Sequence, residues 1–193
     1  MVKYNKEVII IKHLGTKKLE TERLILRKFT EEDAEGIFNS YINDELFLYY
    51  ANKEPRTLED EKKSLIGISK KYDNTEYYNW LITLKNDIII GAINLNIDNY
   101  NESVEFNYAI SEKYYNKGYM TEALLEIKRF CLEEMHVNRF SGGCEKNNLS
   151  SKKVMEKCGI KYEGTLRNYL KLRDGYHDML IYSYINEIDN KKS

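Results

Sequence analysis

The hydrophobic positions of this chain fall into runs of two periods, and the order of the runs outlines a fold. Arg23–Phe29 alternates apolar and charged residues, as a half-buried strand does. Thr30 with Asp33 three residues later forms a capping box, which predicts a helix from Glu31 carrying Ala34, Ile37, Phe38 and Tyr41 inward. Residues 43–56 read as an irregular aromatic segment ending at Pro55, and Thr57 caps a second helix reaching Tyr72. Tyr77–Leu84 and Asp87–Asp98 pattern as a hairpin turned at Lys85-Asn86-Asp87, with Ser103–Ile110 as a third consecutive strand. A helix opens near Gly118–Tyr119, with Met120, Ala123, Leu124, Ile127, Cys131 and Met135 spaced three or four apart on its inner face. Val137–Cys144 reads as a strand and Leu149–Lys157 as a helix stopped at Gly159. Lys161–Leu170 and Tyr176–Ile185 make a last hairpin around Arg173-Asp174-Gly175.

This order predicts a mixed α/β (α+β) sandwich, a central mostly antiparallel sheet of about seven strands with helices on both faces. The chain reads as one domain over residues 1–193, with a core at 15–186, an N-terminal arm at 1–14 and a charged tail at 187–193. Within the arm, Glu7–Lys12 is expected to make an edge strand or a packed segment.

Length changes the picture little: 193 residues bury a core without help from disulfides or metal. A net charge of −1 argues against a protein that coats nucleic acid, while leaving room for a local basic patch. Val8–Ile11, the longest aliphatic run, is far too short to span a bilayer, so no membrane association is expected. Cys131, Cys144 and Cys158 are odd in number and lack CxxC spacing, which reads as reduced thiols of a cytoplasmic protein. His13, His136 and His177 are too scattered for a metal site, and none is expected. His177 is placed either for a structural hydrogen bond or to line a substrate site.

Candidate chemistry centres on the junction between the third strand and the central helix, at Tyr115-Asn116-Lys117-Gly118-Tyr119-Met120-Thr121. The first amides of a helix have no partner within it and lie at the positive end of its dipole. Gly118 lets the backbone approach a ligand closely. The segment is therefore a candidate phosphate cradle, though an ordinary strand–turn–helix junction has the same pattern. A second block, Asn147–Ile160, offers Asn148 as an N-cap, Ser151 in the first helical turn, and the basic pair Lys152 and Lys153.

Together these blocks resemble the GNAT superfamily of N-acetyltransferases, and more narrowly its ribosomal-protein-alanine (RimJ/RimL-like) branch. The first is similar to the family's Gln/Arg-x-x-Gly-x-Gly/Ala loop for the pyrophosphate of acyl-CoA, with Tyr115, Gly118 and Met120 at the three fixed places. The second is similar to its Asn-x-x-Ser-x-x-Val-Leu-Glu-Lys-x-Gly-Phe block. The opening Leu19–Arg27 and the element order extend the resemblance over roughly residues 15–186.

The resemblance implies a sheet splayed at its middle and direct acetyl transfer from acetyl-CoA, a cosubstrate, to a primary amine. A protein N-terminal α-amine is the first expectation. A small-molecule amine (antibiotic, polyamine or amino acid) is the alternative, and a non-catalytic acyl-CoA binder a further one. A monomer or homodimer is compatible with it. Tyr108, Ile110, Tyr115, Asn116, Lys117, Gly118, Tyr119, Met120, Thr121, Asn148 and Ser151 are the cofactor-binding candidates. The resemblance puts Asn148 on the pantetheine arm and Ser151 beside the thioester. Many members carry a tyrosine as general acid where this chain has Met155, which cannot donate a proton. That leaves Ser151, or water, to protonate the leaving thiolate.

The acceptor amine must lose a proton before attack, since α-amines titrate near pH 8 and lysines near about 10.4. Glu105, on the strand feeding the cradle, is the expected base. Backbone amides where the Val104–Ile110 strand ends are the expected oxyanion donors. Tyr49, Tyr50, Trp80 and Tyr169 are candidate walls of the acceptor pocket, although aromatic residues more often fill cores.

Overall fold

The computed structural model describes residues 11–51 and 53–187. Most of the expected edge strand at Glu7–Lys12 and nearly all of the tail lie outside the described residues. One eight-stranded sheet runs through the molecule in the order β1-β2-β3-β4-β5-β6-β8-β7. Its strands are β1 (Leu19–Glu20), β2 (Leu24–Arg27), β3 (Tyr78–Leu84), β4 (Ile89–Asp98), β5 (Ser103–Ile110), β6 (Arg139–Glu145), β7 (Lys161–Leu172) and β8 (Gly175–Ile185). The strand beyond the expected seven is the two-residue β1. All neighbours pair antiparallel except β5 and β6, which run parallel.

Among the described residues the α-helices are α1 (Ala34–Phe38), α2 (Glu45–Ala51), α3 (Leu58–Ser69), α4 (Tyr119–Arg129) and α5 (Leu149–Lys157). The capping boxes at Thr30 and Thr57 both form. The first turn after Thr30 is a 3₁₀ turn, with Asp33 reaching back to the Thr30 amide at 2.8 Å. The segment expected to be irregular contains α2. Its aromatic run has no clean 3.6-residue period, and the helix is held by tertiary contacts, such as Phe47 edge-on to Tyr41 at 5.4 Å.

Helices cover both faces of the sheet, giving two cores. The larger lies under α4 and α5. All six positions read as the inner face of α4 and its continuation are at most 5% exposed. Trp80, read as a candidate pocket wall, is instead fully buried here, its Nε1 donating to the Lys17 carbonyl at 2.6 Å. The smaller core joins α1 and α3 to the sheet through Phe29, Ile37, Tyr41, Leu65 and Leu81.

The parallel pairing of β5 and β6 covers three rungs only: Ser103 with Arg139, Val104 with Phe140, and Glu105 with Ser141. Beyond Glu105 the strands separate, while β5 stays laddered to β4 as far as Ile110. Phe106 fills the apex of the opening, stacked on Phe140 at 4.6 Å. It fits because residue 142 is glycine; a methyl there would overlap the Phe106 ring. The sheet is thus opened from within, and the opening locates the site.

Candidate functional site

A cleft of about 300 Å³ occupies the opening. Its walls come from β5 (Tyr108, Ala109, Ile110), the junction before α4 (Tyr115, Asn116, Gly118 through Thr121), α5 with its cap (Asn148, Ser151, Lys153, Lys157), and α2 (Phe47, Tyr50).

The junction is shaped by backbone conformation. Asn116 and Gly118 both adopt left-handed angles, with φ of 59° and 80°. Such a conformation favours glycine. The first helical bond closes from the Glu122 amide to the Gly118 carbonyl at 3.0 Å. The amides of Tyr119, Met120 and Thr121 are left without an intrahelical acceptor at the mouth of the cleft.

A second framework holds this junction in place. Glu122, in the first turn of α4, accepts from Thr21 Oγ1 at 2.6 Å and from Arg23 Nε at 2.6 Å. Arg23 Nη1 also donates to the Lys117 carbonyl at 3.0 Å, and its guanidinium lies 4.5 Å over the Tyr119 ring. Burial works against ionisation of Glu122, but these hydrogen bonds and the Arg23 charge hold its carboxyl below the usual range. The charge of this carboxylate at the α4 N-terminus is thereby paired.

On the other wall, Asn148 caps α5, its Oδ1 accepting from the Ser151 amide at 3.0 Å. The Tyr108 hydroxyl donates to the Ser151 carbonyl at 3.3 Å. Burial raises the Tyr108 phenol well above its ordinary value, so it stays protonated at neutral pH. Burial likewise pushes the Cys144 thiol up to about 11, far from a reactive thiolate. Met155 is fully buried in the larger core and does not line the cleft.

The structure brings ten of the sequence candidates to one cleft: Tyr108, Ile110, Tyr115, Asn116, Gly118, Tyr119, Met120, Thr121, Asn148 and Ser151. Lys117 stands aside, its Nζ donating to the Lys113 carbonyl at 2.8 Å. Glu105 is exposed at the last paired rung of β5 and β6, off the cleft wall. Of the basic pair, Lys153 lines the cleft while Lys152 turns away towards Glu156 at 4.0 Å. Lys157, one turn after Lys153 on the same face, was not singled out from sequence; its i,i+4 spacing from Lys153 was the available signal. Among the proposed acceptor walls, Tyr50 lines the cleft, Tyr49 packs beside it at 5.1 Å, and Tyr169 is 61% exposed.

A helix-covered sheet that opens at a parallel pair, with a helix N-terminus at the mouth of the opening, is the architecture of the acetyltransferases. Residues 23–161 match the acetyltransferase (GNAT) domain model, and the chain belongs to that family of N-acetyltransferases. It is 26% identical over 169 residues to the uncharacterized N-acetyltransferase YoaA of Bacillus subtilis (strain 168), covering 86% of this chain and 96% of that protein. A GNAT-family acetyltransferase from Bacillus anthracis has a crystal structure that matches with a TM-score of 0.77 at 26% identity, over 89% of this chain and 99% of that one. The fold is also shared with RimL, a ribosomal L7/L12 alpha-N-protein acetyltransferase solved with coenzyme A, at a TM-score of 0.77 and 19% identity, over 88% and 98% of the two chains.

Proposed function

We propose that this N-acetyltransferase transfers the acetyl group of acetyl-CoA directly to a primary amine, with protein N-terminal α-amines as the first acceptor class. The observation that carries the reading is the cleft itself. Uncommitted helix amides sit beside Gly118 on one wall, and Lys153 and Lys157 stand on the other. That combination suits a phosphate-bearing ligand. The chemistry of RimL supports a protein α-amine as acceptor.

In this reading the α4 amides and the two lysines hold the cofactor phosphates, and Asn148 holds the pantetheine arm. The edge of β5 beyond Glu105, unpaired with β6, supplies amide donors for the thioester oxygen. Ser151, in the first turn of α5, serves the departing thiolate directly or through water. Glu105 is poorly placed as the base, because it is exposed at the last paired rung of β5 and β6, at the closed end of the opening. Replacing it with Gln should leave the pH–rate profile of acetyl transfer unchanged.

Thermal unfolding with and without acetyl-CoA tests the first step. Saturation at about 100 times Kd stabilises by roughly 2.7 kcal/mol. For a domain of this size that is a rise on the order of 5–10 °C. Mass spectrometry of a peptide panel with free α-amines, beside polyamines and amino acids, tests the second. Acetylated peptides support the reading, and acetylation of the small amines alone replaces it with the other acceptor class. Binding without turnover on any amine would leave an acyl-CoA-binding protein.

A further inference from the structure

Four side chains from three parts of the chain meet just beyond the Tyr50 wall of the cleft. Glu145 ends β6, and its side chain is only 4% exposed. One carboxylate oxygen accepts from the Asn147 amide at 2.8 Å, and the other lies 3.3 Å from His177 Nδ1. His177 Nε2 lies 2.9 Å from Asp174 Oδ1, in the β7–β8 turn. Tyr49 of α2 donates its hydroxyl to Asp174 at 3.0 Å and sets its ring edge-on to His177 at 6.3 Å.

Strand alternation puts Glu145 and His177 on one face of the sheet. Glu145 pairs with Met179, and His177 lies two residues before it on β8. This face is opposite the one covered by α4 and α5, because neighbouring Cys144 and Leu180 point into the larger core. The group therefore stands on the side of the cleft away from Ser151's helix.

The two carboxylates around the ring are unlike. Glu145 is buried and fixed by the Asn147 amide. Asp174 is 57% exposed on a turn and holds two partners, Tyr49 and His177. A buried carboxylate that fixes one imidazole nitrogen, leaving the other towards solvent, orients a histidine for proton transfer. An exposed carboxylate beside that second nitrogen attracts a cation.

We propose that His177 accepts the proton of the incoming amine, with Glu145 as its positioning residue and Asp174 as the group that draws in the ammonium. The proposal rests on the acetyl-transfer reading above and deepens it: the acceptor arrives as a cation and is discharged on the protein. Asp174 exchanges its contact with His177 for the ammonium. One N–H proton passes to the Nε2 lone pair, and the Nδ1 proton stays shared with Glu145. The neutral amine attacks the thioester carbonyl carbon; the C–N bond forms, the C–S bond breaks, and its electron pair leaves on sulfur. The second amine proton ends on that sulfur through Ser151 or water, and the His177 proton is released to solvent.

The groups facing His177 are Glu145 from β6, Asp174 from the turn and Tyr49 from α2. Burial lowers the affinity of the imidazole for its proton, but Asp174 and Glu145 outweigh it and lift the His177 pKa above its ordinary value of 6.5. The base form gains population as pH rises through that lifted value, so kcat/KM rises with pH. Removing either carboxylate moves this rise to lower pH.

The test has two arms. The first is kcat/KM against pH for the intact chain, E145Q, D174N and H177Q, with acetyl-CoA and a free-α-amine peptide. The acidic limb should shift down by roughly one unit in E145Q and in D174N. H177Q should lose about 100-fold in kcat/KM together with that limb. An unmoved limb in D174N, whose exposed position spares the fold, overturns the proposal. The second arm follows the His177 ring by NMR in the complex with coenzyme A, which has no acetyl group to transfer, with H177Q to assign the signal. A free-amine peptide should shift the ring signal and depress its pKa, while the same peptide N-acetylated should not. Equal responses to the two peptides sink the proposal even when acetylation proceeds. Failure of every amine to be acetylated sinks the transfer reading itself.

Discussion

Arg23 and Glu122, 99 positions apart in sequence, form a 2.6 Å Nε–Oε2 bond that ties the loop before β2 to the first turn of α4. The same guanidinium reaches the Lys117 carbonyl, so one side chain both neutralises a carboxylate and braces the loop that carries Gly118. Charge and shape at the cradle are thus set by a residue that does not line the cleft.

Replacing Arg23 with Gln leaves the Glu122 carboxylate uncompensated beside the proposed phosphate site. Acetyl-CoA affinity by calorimetry should fall roughly tenfold, or about 1.4 kcal/mol. The pair is partly exposed, so no larger effect is expected. R23Q/E122Q should regain part of the loss, because the repelling charge is gone. A double variant as weak as R23Q would show that only bracing matters.

Gly118→Val places a β-branched residue at φ 80°, with its Cβ 3.4 Å from an Arg23 nitrogen. The backbone strain is on the order of 1–3 kcal/mol. The variant should stay folded with Tm lowered by several degrees, and the rise on adding acetyl-CoA should disappear. A normal rise would remove the junction from cofactor binding.

Gly142→Ala pushes a methyl into the Phe106 ring at the apex of the opening. Overpacking of this kind costs about 1–3 kcal/mol. Denaturant unfolding should show that loss, and G142A/F106L should recover much of it. No recovery would mean that the strain is taken up by the backbone.

Glu163 binds Arg139 through both guanidinium nitrogens and accepts from Ser183 Oγ at 2.5 Å, joining β6, β7 and β8. Those contacts hold its carboxyl at about 2, against 4.5 for the free group. A depressed carboxyl stabilises the fold above its unfolded pKa and loses that contribution as pH falls from about 4.5 to about 2. E163Q should therefore have a lower Tm than the intact chain at pH 7, and the gap should close by pH 2. A gap that persists at pH 2 would assign the effect to packing.

Much of the fold was legible because its signals are local. The six inner positions of α4 follow a helical period, and the boxes at Thr30 and Thr57 announce their helices three residues ahead. The cradle residues are contiguous, so one segment delivered them together. Helix α2 was not legible, since Leu46–Tyr50 is a continuous apolar run with neither period nor cap. Trp80 follows the commoner of its two readings, the core, because sequence alone does not separate a core aromatic from a pocket wall. Arg23 and Glu145 went unnoticed for another reason: each acts through partners distant in sequence, and a single charged residue near a strand carries no pattern. Glu105 was favoured by its closeness to the cradle along the strand, and the structure leaves it at the paired base of the opening.

The three rungs that join β5 to β6 have a mechanical consequence. Among the described residues they are the sheet's only seam between the part of the chain before residue 136 and the part after it, and the cleft lies along that seam. A ligand lodged there grips both parts at once, through the α4 junction and through α5. Occupancy would therefore act as a rivet: a chain cut in the 136–138 turn should reassemble more readily with acetyl-CoA present, and the cofactor would then serve the architecture as well as the reaction.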